Sequence, residues 1–188
     1  MSLKKLIKQN ASTVLGVDSS TNSFAFCLFD DKPIKWGKVE FHGNNIYDKV
    51  IDCRDKIPFI KEEVKPDYIC IESAIMVKSQ AVAIHMAMIV GALVGGLAKD
   101  SNSIITVPPI QWQSYIGNKN LTKADKEAIK LEFPGKSDNW YRNYSRTLRK
   151  QKTLDYFNNK FNINITDNDV GDAFGLAYYA HMNLVNHV

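Results

Sequence analysis

Apolar and polar positions follow two periods along this chain. Val14, Leu15 and Val17 form an unbroken apolar run over residues 14–18, the mark of a strand buried on both faces. A second strand is predicted over 23–29. "DDKP" then turns the chain into a third over 34–41, so the first three make an antiparallel meander. Over 46–65 the period changes to helical, with Ile46, Val50, Ile57, Ile60 and Val64 as the inward stripe; Pro58 should kink or split this helix and Pro66 closes it. "DYICIES" is a fourth buried strand. A long helix follows over 79–99, with Ala87, Gly91 and Gly95 repeating every four residues, a spacing that permits close packing against the sheet or a second helix. "SIITVPP" is a fifth strand, stopped by two prolines. Helices over 111–116, 123–133, 140–161 and 167–181 complete the chain. Neither an internal repeat nor a low-complexity linker divides it.

Strands that alternate with helices after a hairpin build a partly parallel α/β sheet. If the first strand lies between the meander and the fourth, strands one and four become parallel neighbours ~4.8 Å apart. Asp18 ends the first and Glu72 the fourth, so both reach the sheet edge where open α/β folds place their sites. The last helix begins at Thr166 or Asp167 as its N-cap and carries Asp169 and Asp172 at i, i+3, on one face. Its apolar remainder should dock on the sheet and deliver both acids to Asp18 and Glu72. Each acid has a plainer reading: Asp18 as a turn residue, Glu72 as an exposed strand end, Asp169 as a helix-dipole charge. Together they form a repulsive cluster that divalent cations or bound protons would relieve. Hard oxygen ligands suit Mg²⁺ or Mn²⁺. Two such ions ~3.5–4 Å apart serve in-line phosphodiester hydrolysis.

Composition adds one asymmetry. The 188 residues carry a net charge of +4. Between Gly117 and Lys152, however, ten Lys/Arg face four Asp/Glu, which leaves the rest slightly acidic. A polyanion partner or a solvated helical face would each account for this. Arg142, Arg146 and Arg149 fall at i, i+4, i+7 with Lys150 beside them, and Trp140, Tyr141 and Tyr144 interleave. Such a face can grip phosphates and stack on unpaired bases; alternatively the aromatics are core and the arginines pair with Glu127, Glu132 and Asp138. Lys78, Lys119 and Lys123 lie near the expected path of a nucleic acid. Three cysteines, Cys27, Cys53 and Cys70, share no metal or disulfide spacing and read as reduced residues. The most apolar segment, 81–98, reaches membrane-spanning length only by admitting His85, and a buried helix suits it better. A cytoplasmic location without membrane contact is expected.

"LGVDSSTNSFAFCLFD", "ICIESAIMVKSQAVAIHMAMIVGALVGGL", "ITVPPIQWQSYIGN" and "DVGDAFGLAYYA", in this order, resemble the RuvC-like Holliday junction resolvases of the RNase H superfamily. The resemblance implies an RNase H-like five-stranded mixed sheet, its first three strands antiparallel, flanked by helices. It further implies a homodimer that nicks branched DNA with Mg²⁺ and leaves 5′ phosphates. By the same resemblance Asp18, Glu72, Asp169 and Asp172 are the catalytic and metal-binding acids, and the helix over 79–99 joins the dimer interface. Bacterial members often carry an aromatic after the glutamate; here Ile75 or Met76 stands there, either packed locally or acting as an aliphatic wedge. A basic helical insertion at about 117–150 in this single nuclease domain is similar to the phage-encoded branch. Three rivals remain. "VDSSTNSFAF" also resembles the first phosphate loop of actin-like ATPases, but no second phosphate loop follows. An RNA-processing relative and a non-catalytic junction-binding module are the others.

Overall fold

The apolar run at the N-terminal end becomes β1 (Val14–Ser19), the central strand of the computed structural model, which describes residues 12–73 and 79–185. β2 (Ser23–Asp30) and β3 (Lys32–Glu40) follow as antiparallel hairpins, and β4 (Tyr68–Glu72) and β5 (Ile104–Val107) extend the other side in parallel. The order is β3-β2-β1-β4-β5, with β1 between the meander and β4 as the hydropathy pattern predicts. Val17 pairs with Ile71, so the next residues, Asp18 and Glu72, leave adjacent strands at one edge.

The two faces of the sheet are covered separately. Leu15, Val17, Ile69 and Ile71 meet α1 (Ile46–Val64) and α2 (Gln80–Leu97). Val14, Ala25, Cys27, Cys70 and Val107 meet α6 (Asn168–Ala180), which touches all five strands and also α3 (Pro109–Tyr115) and α5 (Asp138–Phe161). A short α4 (Lys123–Glu132), closed by a Thr122–Asp125 capping box, packs on α5. All three cysteines are buried and free, and burial pushes the Cys53 thiol up to about 11 and the Cys70 thiol to about 12.

One local expectation is corrected and one is narrowed. α1 runs unbroken through Pro58, which lies on the exposed side where water can satisfy the carbonyl that the ring leaves without a donor. Cys53, Ile57 and Val64 on the opposite side hold the helix to the sheet. In α2 the small residues face outward: an added Cβ at Gly91 or Gly95 meets nothing within 4 Å. Ile89, Leu93 and Leu97 face the core instead, and the close α1–α2 contact comes from Gly96 against Ile57.

Gly16 sets the distance between sheet and α6. A Cβ there would lie 2.1 Å from the Ala173 carbonyl oxygen and 2.5 Å from the Ala177 nitrogen, both backbone atoms that cannot step aside. Gly16→Ala should therefore destabilise the protein by about 1–3 kcal/mol, the cost of overpacking a tight core, read as a lower urea midpoint at unchanged slope; an unchanged midpoint would mean that α6 can shift.

Candidate active site

β1, β4 and α6 bring Asp18, Glu72, Asp169 and Asp172 to the wall of one cleft of about 350 Å³. The strands place two of them by register. Residues Val14, Gly16 and Asp18 alternate onto the α6 face, as do Cys70 and Glu72. Asp167 caps α6 by accepting from the amides of Asp169 (2.8 Å) and Val170 (3.2 Å), which fixes where its first turn begins. Asp172 is the single half-buried residue between Val170 and Tyr178, all of whose other members are buried. The packing that buries its neighbours thus aims it at the sheet edge.

The cleft holds cations as well. Arg146, Arg149 and Lys150 line it from α5, together with Gln113, Asn118 and Thr153. Asn118 Nδ2 donates to the Arg149 carbonyl (2.7 Å) and to Thr153 Oγ1 (2.9 Å), and Arg149 donates to Gln113 Oε1. Among the described residues Arg149 Nε and Asn118 Oδ1 are buried without a hydrogen-bond partner.

Lys38 is a residue that sequence reasoning missed. The pairings Asp18–Ala25 and Ala25–Lys38 set it in one row with Asp18, on the face that α6 covers. Its Nζ lies 2.6 Å from Asp169 Oδ2 and 3.3 Å from Asp167 Oδ2, while Lys150 Nζ approaches Asp169 Oδ1 at 3.4 Å. The strand alternation put Lys38 on this face, but nothing local showed that α6 would bring carboxylates to it.

The acids divide into two groups. Burial, then the charges of Asp172 and Asp169, push Asp18 up to about 7 despite Lys150 and Lys38. Burial and the Asp18 charge push Glu72 up to about 7. Burial does the same for Asp172, helped by Glu72 and Asp169 and opposed by Lys150 and Arg149. Burial acts on Asp169 too, but the hydrogen bond and charge of Lys38, with Lys150, outweigh it and hold that carboxyl below its usual range. Three half-buried carboxyls that resist ionisation offer hard oxygen donors, the ligand type a divalent cation takes, although among the described residues they do not bring three ligating oxygens within 4.8 Å of one another.

Other predicted residues separate. Arg142 and Lys123 line a neighbouring groove, while Lys119 is exposed and borders neither cleft. Lys78, Ile75 and Met76 lie outside the described residues. Trp140 and Tyr144 stack on each other at 5.0 Å, with Phe133 at 5.3 and 5.1 Å, so these rings form a small core between α4 and α5. Among the described residues no carboxylate lies within 4.0 Å of Arg142, Arg146 or Arg149. A separate trio, Asp30, Asp31 and His181, has ligating atoms within 4.8 Å of one another at the opposite end of the sheet. There His181 Nε2 already accepts the Asp31 amide at 3.2 Å, an arrangement of structural character.

Three solved structures share the fold. Thermus thermophilus RuvC in complex with a Holliday junction substrate aligns with a TM-score of 0.60 at 11% identity, over 92% of this chain and 96% of that one. Thermus thermophilus RuvC by itself gives 0.58 at 11% identity over 90% and 96%. The yeast mitochondrial Holliday junction resolvase gives 0.51 at 12% identity over 94% and 82%. No family model and no curated protein matches the sequence. The RNase H-like mixed sheet expected from the sequence is therefore the fold of this chain, shared across a large distance in sequence.

The raised acids have a sign that can be checked. Folded Asp18, Glu72 and Asp172 titrate near 7 against 3.8–4.5 for ordinary carboxyls. Between those values the folded state binds more protons than the unfolded one. The stability these groups contribute is full below about pH 4 and is lost as pH rises through about 7. In metal-free buffer the melting temperature should fall between pH 5 and 8 by at least ~2 °C, the equivalent of about 1 kcal/mol at this size, and Asp18→Asn should flatten that fall. A melting temperature rising over this range would refute the assignment.

Proposed function

We propose that the chain is a divalent-metal-dependent endonuclease that cuts branched DNA, four-way junctions above all. One observation carries this reading: four carboxylates and three cations, Arg146, Arg149 and Lys150, share a single cleft. Clustered carboxylates alone would repel a nucleic acid, and cations alone would only bind it. The two together suit a site that holds a phosphodiester while breaking it. The fold shared with RuvC bound to a Holliday junction, and with a mitochondrial resolvase, supports the substrate class.

In this reading Asp18, Glu72, Asp169 and Asp172 hold Mg²⁺, for which Mn²⁺ can substitute. When bound, such ions supply Lewis acidity at the attacking water and at the leaving 3′ oxygen. The chain's own residues do the rest. Asp18 and Glu72 reach the cleft from neighbouring strands and Asp172 from α6, so the three face the phosphate from different elements. Arg146 and Arg149 donate to the phosphate oxygens, and Gln113 and Asn118 keep Arg149 in place for that task. Lys38 holds Asp169 ionised and oriented. The whole chain acts as one nuclease unit in the cytoplasm, with α4 and the start of α5 as its basic insertion.

The same reading includes a homodimer. α2 exposes Ile84 (55%), with Ala87, Gly91 and Gly95 along the same side. An apolar helix face with small residues offers a second copy a surface for close approach and would pair two active sites on one junction. Light scattering should give twice the chain mass, and Ile84→Glu should return it to one; a wild-type monomer at micromolar concentration would remove the dimer.

A labelled synthetic four-way junction in Mg²⁺ tests the nuclease reading. Wild type should release paired nicks with 5′ phosphates and leave linear duplex intact. Asp18→Asn should keep junction binding but lose cleavage by more than about 100-fold, beyond the 10–100-fold cost of disturbing a ligand's partner. Junction binding without cleavage in any divalent ion would make the protein a binding module. Cleavage of structured RNA in preference to the junction would transfer the site to RNA.

A further inference from the structure

A second depression lies against the carboxylate cleft, sunk between α4 and α5 with a volume of about 740 Å³. Its walls are two rows of cations. Lys123, Lys126 and Lys130 fall at i, i+3, i+7 on α4; Arg142, Arg146 and Arg149 fall at i, i+4, i+7 on α5. At 1.5 Å per residue each row is about 10 Å long. Against six cations the groove lining holds two acids, Glu127 and Asp138, and Glu127 is engaged with Lys130 at 3.2 Å. Lys123 and Lys126 form no ion pair among the described residues, and Arg142 uses its Nε on the Asp138 backbone carbonyl, at 3.4 Å.

Between the walls the floor is apolar: Leu121, the buried Ile129 and the ring of Tyr141, whose hydroxyl is tied to the Phe133 carbonyl at 2.5 Å. The stacked Trp140 and Tyr144 brace the α4–α5 turn, so the groove is preformed. Arg146 and Arg149 line both this groove and the carboxylate cleft, so the two adjoin along these arginines.

We propose that the groove between α4 and α5 is a track for one unpaired DNA strand, which it holds as that strand runs into the carboxylate cleft. The proposal rests on the nuclease reading of that cleft. Duplex DNA turns its phosphates outward, hides its bases and rests on protruding ridges. A recess with basic walls and an apolar, partly aromatic floor matches a single strand, whose phosphates and base faces are exposed together. The enzyme therefore binds the frayed branch point as well as the arms around it.

The test uses fluorescence anisotropy of the full chain, in metal-free buffer so that nothing is cut. The probes are a labelled oligothymidylate about 16 nucleotides long, within the usual range of single-strand site sizes, and a duplex of equal length. Wild type should bind the single strand at least about tenfold more tightly than the duplex. Lys126→Gln/Lys130→Gln on one wall, and Arg142→Gln on the other, should each weaken single-strand binding several-fold. The double variant should also flatten the dependence of log K on log salt by ~1.4, about 0.7 for each lost phosphate contact. These side chains are exposed, and a melting temperature equal to wild type confirms that each variant folds. Preference for duplex, or undiminished single-strand binding in the variants, would overturn the track. Junction cleavage assayed beside it separates the two readings. Variants that cleave and bind as wild type leave the nuclease standing and remove the track; a wild type that never cleaves but loses the single strand on substitution does the reverse.

Discussion

The contact between Gly16 of β1 and the Ala173–Ala177 turn of α6 governs the rest of the molecule. Where a strand and a helix approach so closely that a Cβ would strike backbone, neither can slide. Asp18 lies two residues beyond Gly16, and Asp172 one residue before Ala173. The closest approach in the core is thus also what fixes the separation of two site carboxyls. Gly175 repeats the arrangement on the other side of α6, where an added Cβ would lie 2.2 Å from the Trp112 ring. Trp112 belongs to α3, which carries Gln113 and leads to Asn118, so the same packing positions the support of Arg149. Residues with no side chain place the ones that carry the chemistry.

That packing forces an electrostatic conflict. Asp18, Glu72 and Asp172 are half-buried beside one another and resist ionisation, whereas Asp169 is gripped by Lys38 and Lys150 and remains charged. Without a cation three of the acids take up protons more readily than ordinary carboxyls, and the fourth is paired with two lysines. Polar groups crowded at this cost to stability are what functional sites display when the surrounding structure over-determines them.

α4 and α5 divide labour by residue type. Phe133, Trp140 and Tyr144 pack on each other and hold the two helices together. Among the described residues the arginines on the same stretch have no acidic partner, so the aromatics do the packing and the guanidinium charges are not neutralised there. From the sequence, the interleaving left two readings open, a shared grip on DNA or an aromatic core with paired arginines; the rings follow the second and the arginines do not.

How much was legible beforehand follows from the range of each interaction. Strand order and the meeting of Asp18 with Glu72 were readable, because apolar runs and a hairpin leave few ways to order five strands. The i, i+3 pair Asp169 and Asp172 was readable because helical period is local. Pro58 misled, since whether a proline breaks a helix depends on which side meets water. The α2 glycines left sheet and second helix both open, and only the fold excluded the sheet: spacing shows that a helix can be approached closely, not from which side. Lys38, Gln113, Asn118 and Thr153 carried no local signal, because each joins the site through a partner on another element. The sequence by itself determined which residues are apolar, which are charged and with what period they recur, and these are properties of neighbours along the chain. Only the tertiary structure decided that a lysine on β3 holds an aspartate on α6, and that two basic rows face each other across a groove, because those depend on distances between segments far apart in the chain.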